Sequence, residues 1–252
     1  MITVFSDALV FDGHCAKVGG PRHVVVEDGR IREVASIPPR IANALEVKCG
    51  RRHLMPGQET AARGVYVMAH CHTDDGAARC AALGIRSVEH GTLIERDETA
   101  RALAAAGTFV VPTLSVGAAL NDPGESRVLS EYMAEKNRAM GDRELRAIEV
   151  CRRNGVKLGL GTDLFDHASH PRQSGELELR GRVERPIDVL RSATSVNAEL
   201  LQLEGKLGVI AAGAHADLLV LDFDPFADLS QFRHPQRIPV VMQAGQFVRN
   251  AL

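Results

Sequence analysis

Val65-Tyr66-Val67-Met68-Ala69-His70-Cys71-His72 is a short apolar run that ends in imidazoles. Its length and polar ending mark a buried strand. Three more runs have the same shape: residues 87–89 lead into His90, residues 109–112 into Thr113, and residues 157–161 into Thr162 and Asp163. Between them lie Ala/Glu/Arg-rich stretches with helical periodicity, at 97–106 and 142–154. Strands alternating with helices specify an α/β fold with a parallel sheet, whose active site lies at the carboxyl ends of the strands. Three strand ends therefore deliver His70, His90 and Asp163 to one edge of the sheet.

Outward from this middle part the pattern changes. Residues 2–5, 8–11, 23–27 and 31–35 are short β-branched runs broken by turn signals at Gly13 and at Asp28-Gly29. Asp-Gly supplies the positive φ angles of a tight hairpin, so this segment reads as a small antiparallel sheet. Strand signals return at 216–222, 238–243 and 247–249, with an Ala244-Gly245 turn. The expected division is thus 1–57 and 204–252 as the two parts of one composite β-sandwich, with 58–203 as the α/β part.

The 252 residues are 45% hydrophobic and 25% charged, the proportions of a soluble globular protein. With 30 basic and 32 acidic side chains the net charge is −2, which gives no electrostatic reason to bind nucleic acid or anionic lipid. No apolar run approaches the roughly 20 residues that span a bilayer, and the first residues lack the basic start of a signal peptide. A cytoplasmic location is expected. The five cysteines, Cys15, Cys49, Cys71, Cys80 and Cys151, are odd in number and form no C-x-x-C pair, so they read as reduced thiols.

His70, His90 and Asp163 together suit a divalent metal, because zinc accepts imidazole nitrogen and carboxylate oxygen and keeps a position open for water. A strand-end carboxylate such as Asp163 then takes the water's proton and returns it to a leaving amine. The same residues have plainer readings: a histidine in apolar surroundings is a satisfied core residue, and Asp163 is a helix N-cap. His72 is expected to face away from His70 and to touch substrate at most. Cys71 between them is a small buried filler. Arg172, Arg180 and Arg182 are candidates for a substrate carboxylate, but read first as solvated loop charges.

Ala69-His70-Cys71-His72, Ser87-Val88-Glu89-His90-Gly91-Thr92-Leu93, Val111-Pro112-Thr113-Leu114 and Leu160-Gly161-Thr162-Asp163 resemble, in this order, the second half of the amidohydrolase superfamily barrel. The imidazolonepropionase-related branch, with its prolidase-like Xaa-Pro dipeptidases, is the nearest in pattern. Val26-Glu27-Asp28-Gly29-Arg30-Ile31 and Leu54-Met55-Pro56-Gly57 resemble that family's amino-terminal sheet. Gly205-Lys206-Leu207-Gly208-Val209-Ile210 and Gly213-Ala214-His215-Ala216-Asp217-Leu218 resemble its carboxyl-terminal sheet. The resemblance implies metal-assisted hydrolysis of an amide or related C–N bond, in a dipeptide or a small cyclic amide. It gives His70 and His90 to one metal, and to Asp163 the roles of ligand and general base.

It also exposes a gap. The family's Met-Pro-Gly turn leads to a strand with a His-x-His pair, and a later strand supplies a metal-bridging lysine. Here Met55-Pro56-Gly57 runs straight into Gln58-Glu59-Thr60-Ala61-Ala62-Arg63-Gly64, which resembles the approach to the family's fifth strand. A barrel of eight units takes roughly 250 residues, and 58–203 holds only four or five. The expectation is a (β/α) barrel truncated to about its last four units, holding at most one divalent ion, zinc by choice, with impaired activity. The alternatives are a non-catalytic remnant and a module that completes its site with another chain. Half a barrel leaves open strand edges, so a homo-oligomer is expected.

Overall fold

The computed structural model describes residues 2–10, 20–28, 30–51, 53–54, 65–121, 131–165 and 167–251. The chain divides into two compact units, residues 1–65 and 66–252. The junction quoted above, residues 55–64, lies outside the described residues, as does Gly13.

In the first unit the sheet runs β3-β2-β1-β4, with β5 beside β1. Here β1 is Ile2–Val10, β2 Arg22–Glu27, β3 Arg30–Ala35, β4 Leu45–Lys48 and β5 His53–Leu54. The run expected at 2–5 and the described part of the one at 8–11, residues 8–10, are one strand. Asp7 at φ 55° makes a bulge between Phe5 and Ala8, where the pairing with β2 shifts register. The antiparallel β2–β3 hairpin turns at Asp28, φ 48°, as Asp-Gly chemistry requires.

In the second unit a parallel sheet runs β6 (Met68–Thr73), β7 (Ser87–Leu93), β8 (Phe109–Val111). The run expected at 157–161 joins it only as a bridge from Leu158 to Val110, with Val110 N donating to Lys157 O and Gly159 N to Val110 O. Helices α1 (Asp74–Ala82), α2 (Asp97–Ala106), α3 (Leu114–Leu120) and α4 (Glu131–Arg153) follow in turn, then α5 (Gly175–Arg180), α6 (Pro186–Arg191) and α7 (Asn197–Leu200). Thr73 caps α1 by accepting from Gly76 N, with Asp74 and Asp75 in the first turn. Asp74 also accepts from the amides of Glu95 and Arg96, which ties the end of β7 to α1. α2 stops at Gly107, whose φ of 68° suits a glycine cap.

Val88, Ile94, Leu103, Val110 and Ile148 form the buried core between this sheet and its helices. Fully burying each such side chain is worth about 1.5–3 kcal/mol. A separate antiparallel sheet, β9 (Leu218–Val220), β10 (Val240–Gln243) and β11 (Gln246–Asn250), closes the chain, with Ala244 and Gly245 turning at φ 47° and 78°. Among the described residues no helix is long and apolar enough to cross a membrane.

Candidate metal centre

β6 starts three residues later than its apolar run suggests and carries the imidazoles inside the strand rather than beyond it. Residues two apart on a strand point to the same face. His70 and His72 accordingly share one face, their rings 4.8 Å apart, and the expectation that His72 turns away from His70 is overturned. Cys71 points the other way and packs on the core.

His90 reaches the same place by a different route. The strand register sets it beside Cys71, so an unbroken β7 would send its ring into the core. Instead His90 has φ 75° and Gly91 φ 61°, and the register shifts past Cys71. Such a bulge re-aims a side chain. Left-handed backbone costs a non-glycine residue about 1–2 kcal/mol, and such strain is typical of functional positions. His90 Nε2 lies 2.8 Å from His70 Nδ1, and its ring stacks on His72 with centroids 4.8 Å apart. One nitrogen from each of His70, His72 and His90 falls within 4.8 Å of the others.

Hydroxyls behind the rings orient them. His90 Nδ1 is 2.8 Å from Thr113 Oγ1, at the end of β8. His72 Nδ1 is 3.0 Å from Thr92 Oγ1, which in turn donates to Glu144 Oε1 at 3.5 Å. With Thr92 donating onward, its oxygen accepts from His72 Nδ1–H, and Nε2 keeps its lone pair for a ligand. Burial lowers the pKa of His72 and of His90, and each is lowered further by neighbouring imidazoles, against an opposing pull from Asp163. Both shifts favour the neutral ring, the form that binds metal.

Asp163 sits on the loop after the Leu158 bridge, exposed and at φ 51°. Its charge acts on His72, His90 and Glu89, but the three-residue cluster of close ligand atoms contains His72 rather than Asp163. Glu89, opposite His70 in the register, has its carboxyl raised chiefly by burial. Sequence reasoning did not single out Thr92, Thr113 or Glu144. Only the threonines' places at strand ends hinted at them.

The arginines divide. Arg180 lies in α5, not in a loop, and is wholly buried, so the reading as a solvated charge is corrected there. Arg172 and Arg182 are exposed.

The donor set fits a metal. Three imidazoles, two of them oriented from behind by hydroxyls, are a donor set that zinc and similar divalent ions take.

Comparison with known proteins agrees with this architecture. The amidohydrolase family model matches residues 34–248. An ochratoxinase of Aspergillus niger is 29% identical over 199 residues, covering 76% of this chain and 40% of that protein. The chain therefore spans about 40% of the length of the curated relatives it matches. A crystal structure of an Xaa-Pro dipeptidase with bound methionine is 27% identical with a TM-score of 0.66, covering 76% of this chain and 46% of that one. A prolidase complexed with N-methylphosphonate-L-proline has the same fold, with a TM-score of 0.71 at 22% identity over 99% of this chain and 100% of that one. The mixed α/β sheet, its strand-end histidines and the family match over most of the chain place this protein in the amidohydrolase family.

Proposed function

We propose that this chain is a metal-dependent hydrolase of amide bonds that holds one divalent ion, zinc in the first instance, on His70, His72 and His90. The observation that carries the reading is the convergence of three imidazoles from β6 and β7 within 4.8 Å, one of them delivered by a strained bulge. The bound ion would polarise the amide carbonyl and lower the pKa of water. Thr92 and Thr113 hold two of the rings in register. Asp163 carries the proton from water to the leaving nitrogen, from a loop whose charge already acts on His72 and His90. The Xaa-Pro dipeptidase, by its name, supports a dipeptide as substrate. We read the barrel as truncated to about its last four units, with activity below that of a full-length relative.

The test is elemental analysis of the zinc-loaded chain alongside hydrolysis of Xaa-Pro dipeptides and N-acyl amino acids. His70→Ala, His72→Ala and His90→Ala should each abolish metal binding. Asp163→Asn should keep the metal and lose about 10²–10⁴ in rate. Retention of the metal in His72→Ala, with loss in His70→Ala, would overturn the three-imidazole site.

One observation favours completion of the site by a second copy of the chain. Among the described residues β6, which carries two of the three imidazoles, is paired on one side only.

A further inference from the structure

Beneath the three imidazoles, on the opposite face of β6, two thiols meet. Cys71 stands between His70 and His72 in the strand and lies opposite His90 in the register. Its side chain packs on the core, against the start of α1. Its Sγ is 3.7 Å from the backbone oxygen of Thr73, the cap of that helix, and 2.5 Å from where a Cβ on Gly76 would stand. The glycine thus leaves the sulfur a seat against the helix backbone. Cys80 is one turn beyond Gly76 on the same helix face, and a helical side chain covers the turn before its own Cα. Cys80 therefore reaches back to that seat, and its thiol interacts directly with that of Cys71. The pair spans the joint between strand and helix. Cys71 is half-buried and Cys80 buried, so a small reagent meets Cys71 first.

We propose that Cys71 and Cys80 are a modification site: a peroxide oxidises them to a disulfide, and the bond loosens the metal centre above it. The Cys71 sulfur attacks one peroxide oxygen, the O–O bond breaks, and the leaving hydroxide takes the thiol proton as water, which leaves a sulfenic acid. The Cys80 sulfur then attacks the Cys71 sulfur, the S–O bond breaks, and hydroxide leaves with the Cys80 proton as a second water. Two electrons pass from the sulfurs to the peroxide. Closing the bond draws Cys71 from packing contact to bonding distance, and the backbone carries His70 and His72 with it. A metal site tolerates displacements of only about 0.5 Å. The effect on the metal rests on the three-imidazole reading above; the disulfide rests on the thiol pair alone.

The test treats the full chain, metal-free, with hydrogen peroxide, then alkylates it in denaturant and cuts it with trypsin. Arg79 lies between the two cysteines, so the bond joins two tryptic peptides that a reductant separates. That linked pair is expected, with Cys151, buried in the same core, left free for alkylation. Cys80→Ala should give no linked pair. Competition with a chromophoric chelator should find zinc held about 10–100-fold more weakly by the oxidised chain, the range for a disturbed supporting shell, with the affinity restored by dithiothreitol. No Cys71–Cys80 link, a link from Cys71 to another cysteine, or a zinc affinity indifferent to the link would each overturn the proposal. The two readings fail separately. A reduced chain that takes up no zinc sinks the metal centre and leaves the disulfide standing on its peptide map.

Discussion

Replacing Arg180 by methionine tests the buried ionic cluster beneath the last parallel segment. Arg180 is 0% exposed and Glu184 7%. The guanidinium pairs with Glu184 through Nε, again through Nη2 at 3.0 Å, and donates from Nη1 to Gly159 O at 2.8 Å. Arg180→Met keeps the apolar bulk but leaves Glu184 as an unpaired buried carboxylate and takes a donor from Gly159, beside the Leu158 bridge. Breaking a buried pair in this way costs about 3–5 kcal/mol. For a chain of this size each kcal/mol moves Tm by about 2–4 °C, so a drop of about 6–20 °C is expected. Differential scanning calorimetry reads it. The double variant Arg180→Met/Glu184→Leu should recover much of the loss, because removing both charges also removes their desolvation penalty. Arg182→Ala, two residues away but exposed, should stay within about 0.5 kcal/mol. A Tm change below about 2 °C in Arg180→Met, or a double variant no better than the single one, would falsify the account of the cluster.

Burial, aided by the charge of Glu176, raises the Glu144 carboxyl from 4.5 to about 7. A folded-state pKa above the unfolded one means that the group favours the native state below about 4.5, and that this contribution is lost as pH rises to about 7. Glu144→Gln cannot ionise, so urea unfolding at about pH 5 and about pH 8 should show the variant gaining on the wild type as pH rises; a constant difference would contradict the assignment. Gly91→Ala would place a Cβ 2.7 Å from Val110 Cγ1 and 3.0 Å from Ile94 Cδ1 at φ 61°. It should cost about 1–2 kcal/mol from backbone conformation alone, and should weaken zinc binding by moving His90; unaltered zinc affinity would remove the bulge from the account. Light scattering coupled to size exclusion should find a dimer, and a cooperative, monomeric melt would show that β6, paired on one side only among the described residues, needs no second copy.

The parallel sheet and its helices were legible because their signals are local. Apolar runs of strand length alternate with amphipathic stretches, and α2 occupies the expected residues 97–106. His70 and His90 drew attention because the sequence reading set them at strand ends, in a fold that puts chemistry there; the structure sets both inside β6 and β7. The third imidazole was misread: the spacing of His70 and His72 sets them on one face of a strand, but the sequence reading turned His72 away. The rest depended on contacts between distant segments. The turn of His90 out of the core rests on two successive left-handed residues, and only Gly91 marks the place in the chain. Arg180 and Arg182 are the same residue type two positions apart, yet one is sealed among Glu184, Gly159 and Ser192 while the other reaches solvent. Periodicity and composition determine which residues can be strand, helix or ligand. Which charge is buried, and which ring faces which, is decided by packing between segments far apart in sequence, where a shift of one residue in register reverses the outcome.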